Sequence, residues 1–306
     1  MSLLLTKQII QMFLMMFCGW MIVRLGLLKA EESRALSVIT IFIICPASVL
    51  NAFQIDYTPE IADNFRLALR SGVMIHVIVF LTVYALNILF RFSGIEKASL
   101  IYSNAGNLII PLVLAILGEE WVIYASAFIF TQQAVLWSHG KSVIEGKRGM
   151  DLKAMFKNVN LLACFTGLIM FLLRLKFPSI LQGAVRSLGG IIGPVTMLTM
   201  GMILAGTDMG KMIRGKRIWI IALLKMILIP GTVILAMKLS GIAASAPDGR
   251  TVLFISLLAC MTPTATSVTQ MARLYECEPE YATAINTVTT VMCLVTMPLM
   301  TLLYEL

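Results

Sequence analysis

Apolar residues fill long runs along this chain, and the charged residues are gathered between those runs. A transmembrane helix needs about 20 predominantly apolar residues to cross the hydrocarbon of a bilayer. Ten runs approach that length: 9–24, 35–53, 67–91, 99–117, 121–140, 159–175, 187–207, 217–240, 251–272 and 281–304. Together they take up most of the chain and leave no room for a soluble domain. The pattern predicts an all-α integral membrane protein with ten transmembrane helices.

Composition agrees. The 306 residues are 59% hydrophobic and 13% charged, with a mean hydropathy of +0.90. A soluble domain carries about 25% charged residues. Six cysteines (Cys18, Cys45, Cys164, Cys260, Cys277, Cys293) lie mostly within the runs at no metal-ligand spacing, so they read as small apolar residues. No metal or cofactor is expected. The first 26 residues have no basic segment ahead of the apolar stretch and no small-residue cleavage site, so they read as the first span.

A net charge of +8 would suggest nucleic acid in a soluble protein, but its distribution points to lipid instead. Fifteen Lys and Arg follow odd-numbered spans, eight lie on the opposite side, and Lys225 sits inside a span. Positive residues favour the cytoplasmic side. Both termini are therefore expected outside the plasma (cytoplasmic) membrane, with Lys141, Lys147, Arg148, Lys153 and Lys157 marking the central cytoplasmic loop. Trp20, Trp121, Trp137 and Trp219 fall near span ends, where interfacial anchors belong.

The central loop divides the spans five and five, giving a first half of 1–146 and a second of 158–306. Pro46 and Pro194 begin similar stretches 148 positions apart, and His76 and Lys225, each the strongly polar residue deep in its run, are 149 apart. Ala125-Ser126-Ala127 and Ala282-Thr283-Ala284 are 157 apart, as are Gly106 and Pro263, an alignment that sets Asn107 opposite Thr264. Five is odd, so a second copy must enter from the opposite face. Such inverted repeats are a common architecture of secondary transporters.

Spans four and nine carry the sharpest signals, Asn104-Ala105-Gly106-Asn107 through Pro111 and Thr262-Pro263-Thr264-Ala265-Thr266-Ser267. Proline frees backbone groups in mid-helix. In hydrocarbon these cost several kcal/mol unless partnered, so a broken helix survives where it lines a cavity or is buried in protein. One such kink is ordinary helix packing. Two at corresponding positions, rich in Asn, Thr and Ser, point to a binding site: half-helix N-termini suit a carboxylate, and freed carbonyls suit a cation.

The NxGNxxxP run from Asn104 to Pro111, the stretch Gly201–Gly206, and Pro263 leading through Ala272-Arg273-Leu274-Tyr275 to Pro298 resemble the auxin efflux carrier family over essentially the whole chain. Ile109 stands where that family often has glycine. The resemblance implies a fold like that of the bile-acid/sodium symporters, with broken helices 4 and 9 crossing at the midplane. It implies a scaffold from 1–53 and 159–207, through which a homodimer would form, and a transport domain from 67–140 and 217–304. It also implies a small organic anion as substrate, a carboxylate such as malate or malonate or an auxin-like acid, with H+ or Na+ as coupling ion. The short central loop looks bacterial.

Asn104, Asn107, Thr262, Pro263, Thr264, Gln133 and Asn286 are the candidate substrate-binding residues. Lys225 either faces the cavity and attracts an anion or runs its stem to the interface. His76 is a packing residue or, with Thr266 and Ser267, part of ion coupling. Gln132 and Gln133 cannot reach the same point from one helix. Asn51 reads as an interhelical hydrogen bonder, and His139-Gly140-Lys141 as a helix stop. The sixteen acidic residues lie in loops or at span ends, with Asp208, Glu119 and Glu120 nearest the membrane. No central carboxylate pair offers a proton relay. There is no HExxH, GxSxG or GxxxxGK[ST] run, which argues against a membrane protease, a serine hydrolase and an ATP-driven pump. The leading expectation is a secondary carrier of a small organic anion. An ion-coupled symporter of the bile-acid/sodium type, a membrane enzyme and a channel or sensor are the alternatives.

Overall fold

A computed structural model describes residues 2–146, 158–206 and 215–306. Lys147, Arg148, Lys153, Lys157 and Asp208 lie outside the described residues. The described chain is all-helical: α1 (Ser2–Arg24), α2 (Ala30–Ala52), α3 (Pro59–Phe90), α4 (Gly94–Ile101), α5 (Ala105–Ile116), α6 (Val122–Val135), α7 (Val159–Leu172), α8 (Ser179–Ala205), α9 (Lys216–Ser240), α10 (Gly249–Met261), α11 (Thr266–Leu274) and α12 (Pro279–Glu305). Among the described residues α2, α3, α8, α9 and α12 are long and apolar enough to cross a membrane. α5, α7 and α10 are shorter but apolar.

Helix ends follow local chemistry rather than the edges of the apolar runs. α3 begins eight residues before its run, because Pro59 suits a first turn and Thr58 Oγ1 accepts the Ile61 N–H at 3.2 Å. α4 begins on a capping box, in which Ser93 Oγ accepts from Glu96 N and Glu96 Oε2 accepts from Ser93 N. Glu96 is also buried, and takes the Arg217 guanidinium at 2.7 and 2.9 Å and the Tyr281 hydroxyl at 2.7 Å. It therefore pins α4 to the starts of α9 and α12, so the carboxylate set deepest among the described residues is one the sequence gives no reason to single out.

Span five does not stop at His139. α6 continues through a π-turn at Leu136–Gly140 into Lys141–Ile144. His139 bonds Tyr102 Oη through Nδ1 at 2.8 Å and Tyr84 Oη through Nε2 at 3.0 Å. The glycine after it leaves room for the Tyr102 ring, so it is a packing residue and not a terminator.

α3 shows how the surface is divided. Val73, Val77, Leu81, Tyr84 and Ile88 form an exposed apolar stripe at helical spacing, while Ala68, Gly72, Ile75, Val79 and Val83 face inward. An exposed stripe of this kind fits hydrocarbon rather than water. Among the described residues the most extensive helix contact is α1 along the second half of α8. The backbones nearly touch there: a Cβ at Gly201 would lie 1.8 Å from the Met16 carbonyl oxygen, and one at Gly19 would lie 2.1 Å from that of Leu198. Small residues that allow such approach drive helix association where lipid offers no hydrophobic force. α2 packs on α7 and α8, whereas α3 packs on α6, α9 and α10.

Candidate functional site

α4 ends at Ile101 and α5 starts at Ala105, with Tyr102 extended between them. α10 ends at Met261 and α11 starts at Thr266, with Thr262 extended and Pro263 next in the gap. The two gaps meet. Ser103 and Thr264 form an antiparallel bridge, closed by Asn104 N donating to the Pro263 carbonyl at 2.7 Å and Ala265 N to that of Tyr102 at 3.0 Å. Spans four and nine are thus tied to each other at their breaks.

The geometry of the first break corrects the sequence expectation. The gap lies at Tyr102–Asn104, ahead of Gly106, and Pro111 sits inside α5. The bridge relates residues 161 apart, not 157, so Ser103 rather than Asn107 stands opposite Thr264. The physical reason is hydrogen-bond exchange. In an unbroken helix the Ser99 carbonyl would accept from Ser103 N, and the Cys260 carbonyl from Thr264 N. Here Thr264 Oγ1 donates to Ser99 O at 3.1 Å and Ser103 Oγ donates to Cys260 O at 3.0 Å. Each hydroxyl satisfies the carbonyl that the other helix has freed.

The outer edges of the bridge are satisfied from the helices that follow. On α6, Gln132 accepts from Ser103 N at 3.1 Å and donates to Ser103 O at 2.7 Å. On α12, Thr289 Oγ1 accepts from Thr264 N at 3.2 Å and Asn286 Nδ2 donates to Thr264 O at 2.7 Å. Unpaired buried backbone groups are costly, so these side chains maintain the break. Gln132 and Thr289 are 157 positions apart, the same spacing as the small-residue repeats of spans five and ten. That spacing is a signal that could have marked both.

The candidate substrate residues separate into two groups. Thr262, Pro263 and Thr264 are committed to the break: Thr262 Oγ1 donates to Ala259 O, the Pro263 carbonyl accepts from Asn104, and Thr264 bonds Ser99. Asn286 likewise supports the Thr264 backbone. Asn104, Asn107 and Thr266 cluster at the N-termini of α5 and α11, where Asn107 Nδ2 donates to Thr266 Oγ1 at 3.0 Å. Asn104 is 3% exposed, and its Nδ2 finds no partner among the described residues. Gln133 lies beside Gly106 and accepts from Trp137 Nε1. Asn107 and Ser267 are part-exposed.

Lys225 does not run to the interface. It is 1% exposed, and its Nζ donates to Ser103 Oγ at 2.8 Å and Leu100 O at 3.1 Å. His76 bonds the Gly72 carbonyl of its own helix and packs on Phe128. Asn51 does bridge helices, donating to Glu119 at 2.7 Å and accepting from Gln182 at 2.8 Å, while Arg186 reaches the other oxygen of Glu119 at 2.7 Å. These four polar groups bring α2 and α8 to the connection between α5 and α6, beside a cavity of about 190 Å³. A smaller apolar pocket of about 30 Å³ lies between α1, α5, α8 and α12, lined in part by Leu108, Thr290 and five methionines.

Residues 4–160 and 148–301 match the model of the family described as membrane transport protein. The chain belongs to this family. It is the family, that of the auxin efflux carriers, which the motif in span four resembles. The chain has no match among curated proteins. As a membrane transport protein with several apolar helices of spanning length, it is a multi-pass membrane protein of a transporter family, surrounded by lipid and handling a transported substrate.

Proposed function

We propose that this membrane transport protein is a secondary carrier of a small organic anion, of the carboxylate class typified by malate, malonate or an auxin-like acid. In this reading its helices make ten spans in two inverted five-helix repeats, 1–146 and 158–306, with both termini outside the plasma membrane. One observation carries the reading. Two half-helices, α5 and α11, begin together at the crossing, and the Asn104 amide there is buried with an unused N–H donor. Helix N-termini and amide donors favour a negative charge. The exchanged hydroxyl bonds and the paired roles of Gln132 and Thr289 support two copies related by a local two-fold axis.

Asn104, Asn107, Gln133 and Thr266 hold the anion in this proposal, while Thr262, Pro263, Thr264 and Asn286 keep the helices broken. α1, α2, α7 and α8 act as scaffold and dimer surface, and the remaining helices move against them in an elevator-like alternating access. The methionine-lined pocket between α1, α5, α8 and α12 supports such sliding, since thioether side chains repack easily. In proteoliposomes, labelled malonate should exchange against unlabelled malonate, malate or indole-3-acetate. An absence of counterflow with every carboxylate tried would remove the carrier reading.

Asn107→Ala is expected to weaken substrate affinity roughly ten- to a hundredfold, because a hydrogen bond to a charged partner is worth about 1.5–3 kcal/mol. Its melting temperature should shift less, since water replaces the missing amide at a part-exposed position. Calorimetric affinity measured beside thermal unfolding checks this. Normal binding by Asn107→Ala would move the site elsewhere.

A further inference from the structure

Lys225 is among the largest fully buried side chains of the protein. It lies on a π-turn of α9, Leu224–Leu228, and no carboxylate among the described residues pairs with it. Its two oxygen partners come from the break itself. In a continuous helix the Leu100 carbonyl would accept from Asn104 N, but Asn104 N has gone to Pro263. Leu100 O is therefore left over at the C-terminal end of α4, where the helix dipole places partial negative charge. Ser103 Oγ, which gives its proton to Cys260 O, offers the ammonium a lone pair.

A freed carbonyl and a hydroxyl oxygen at the end of a half-helix form the kind of donor set that holds a monovalent metal cation in broken-helix transporters. We propose that the Lys225 ammonium is a built-in cation of the crossing, filling by covalent attachment the place that a sodium ion would otherwise take. The anion side of the crossing, at the N-termini of α5 and α11, is then balanced by a charge that never leaves the protein. The consequence for transport, independence from sodium, rests on the carrier reading. The occupancy of the position by the lysine does not, and it is tested without any transport assay.

The experiment measures thermal unfolding of the purified full-length protein at constant ionic strength in choline, potassium and sodium chlorides, together with equilibrium binding of 22Na+. Wild type is expected to unfold at the same temperature in all three salts and to show no saturable 22Na+ binding. Lys225→Ala opens room beside the two oxygens. In choline it should melt roughly 5–15 °C lower, and added sodium should restore at least half of the loss in a saturable way. Lys225→Met removes the charge but fills the space, so it should be destabilised without rescue by sodium. Saturable sodium binding by wild type overturns the proposal, as does a Lys225→Ala protein that no alkali cation stabilises. Should Lys225→Ala yield no folded protein, the wild-type binding measurement still decides: saturable binding refutes the proposal and its absence supports it. Failure of malonate counterflow with a sodium-insensitive wild type would count against the carrier reading alone.

Discussion

Gly201→Leu is expected to yield no folded protein. The position has no room even for a methyl group: its Cβ would lie 1.8 Å from the Met16 carbonyl oxygen and 2.7 Å from the Trp20 backbone nitrogen. Both obstacles are main-chain atoms of α1, so no rotamer change relieves them. The two helices must separate, and Gly19, whose own Cβ would meet the Leu198 carbonyl on the facing turn, loses its contact at the same time. Overpacking a well-filled interior costs about 1–3 kcal/mol when side chains can shift. Against fixed backbone the cost should exceed that, a large share of a total stability of about 5–15 kcal/mol. Gly183→Ala is the control, because nothing lies within 4 Å of a Cβ there, and it should be neutral or mildly stabilising. Size-exclusion profile and melting temperature in detergent report both variants. A monodisperse Gly201→Leu protein with wild-type stability would show that α1 and α8 do not pack as described.

The second large effect is expected at Gln132. Its amide satisfies both backbone groups of Ser103, and Gln132 is 2% exposed, so water has no access to replace it. Gln132→Leu leaves a buried N–H and a buried C=O unpaired, at about 1–3 kcal/mol each. Span four then either loses stability or re-forms as a continuous helix, withdrawing Asn104 from Pro263 and opening the bridge. Transport should be abolished and melting lowered by roughly 5–15 °C. Gln133→Ala, one residue on, gives up only the Trp137 contact and should melt near wild type. Equal stability of Gln132→Leu and wild type would mean that the crossing is held by something other than this side chain.

The helices were legible because membrane spans are a matter of summed hydropathy, which needs no knowledge of partners. α9 and α12 fall within two residues of their apolar runs. The break in span nine was legible too, since Pro263 cannot donate to a helix. The exact place of the break in span four was not. Its gap holds tyrosine, serine and asparagine, none of which forbids a helix, while the proline that draws attention sits unbroken within α5. Whether Ser103 stays helical is settled by Pro263, Gln132 and Cys260, all distant in sequence. The same holds for Thr264, whose hydroxyl looks free for a ligand until the Ser99 carbonyl facing it is known. Lys225 has a stem long enough for either the interface or the crossing, and only the position of Leu100 O decides between them. Nothing in the sequence marks His139 or Glu96, since one sits at a span end and the other in a loop-like flank; their tyrosine and arginine partners come from other helices.

The pairing of Ser103 with Thr264 also sets an order of events during synthesis. Because they are 161 positions apart, a ribosome adding about 5–20 residues per second leaves span four without its partner for roughly 8–32 s. Span four need not be broken during that wait. No proline lies between Gly94 and Ile110, so Ser103 and Asn104 can bond back to Ser99 and Leu100 as ordinary helix. Span nine is less free to do so, because Pro263 lacks the N–H that would close its turn on Ala259. The later helix would then act as the template that opens the earlier one, and the crossing is acquired late, by exchange of hydrogen bonds already made. In a chain ended at residue 146, slow amide exchange at Ser103 and Asn104 would record the unbroken form.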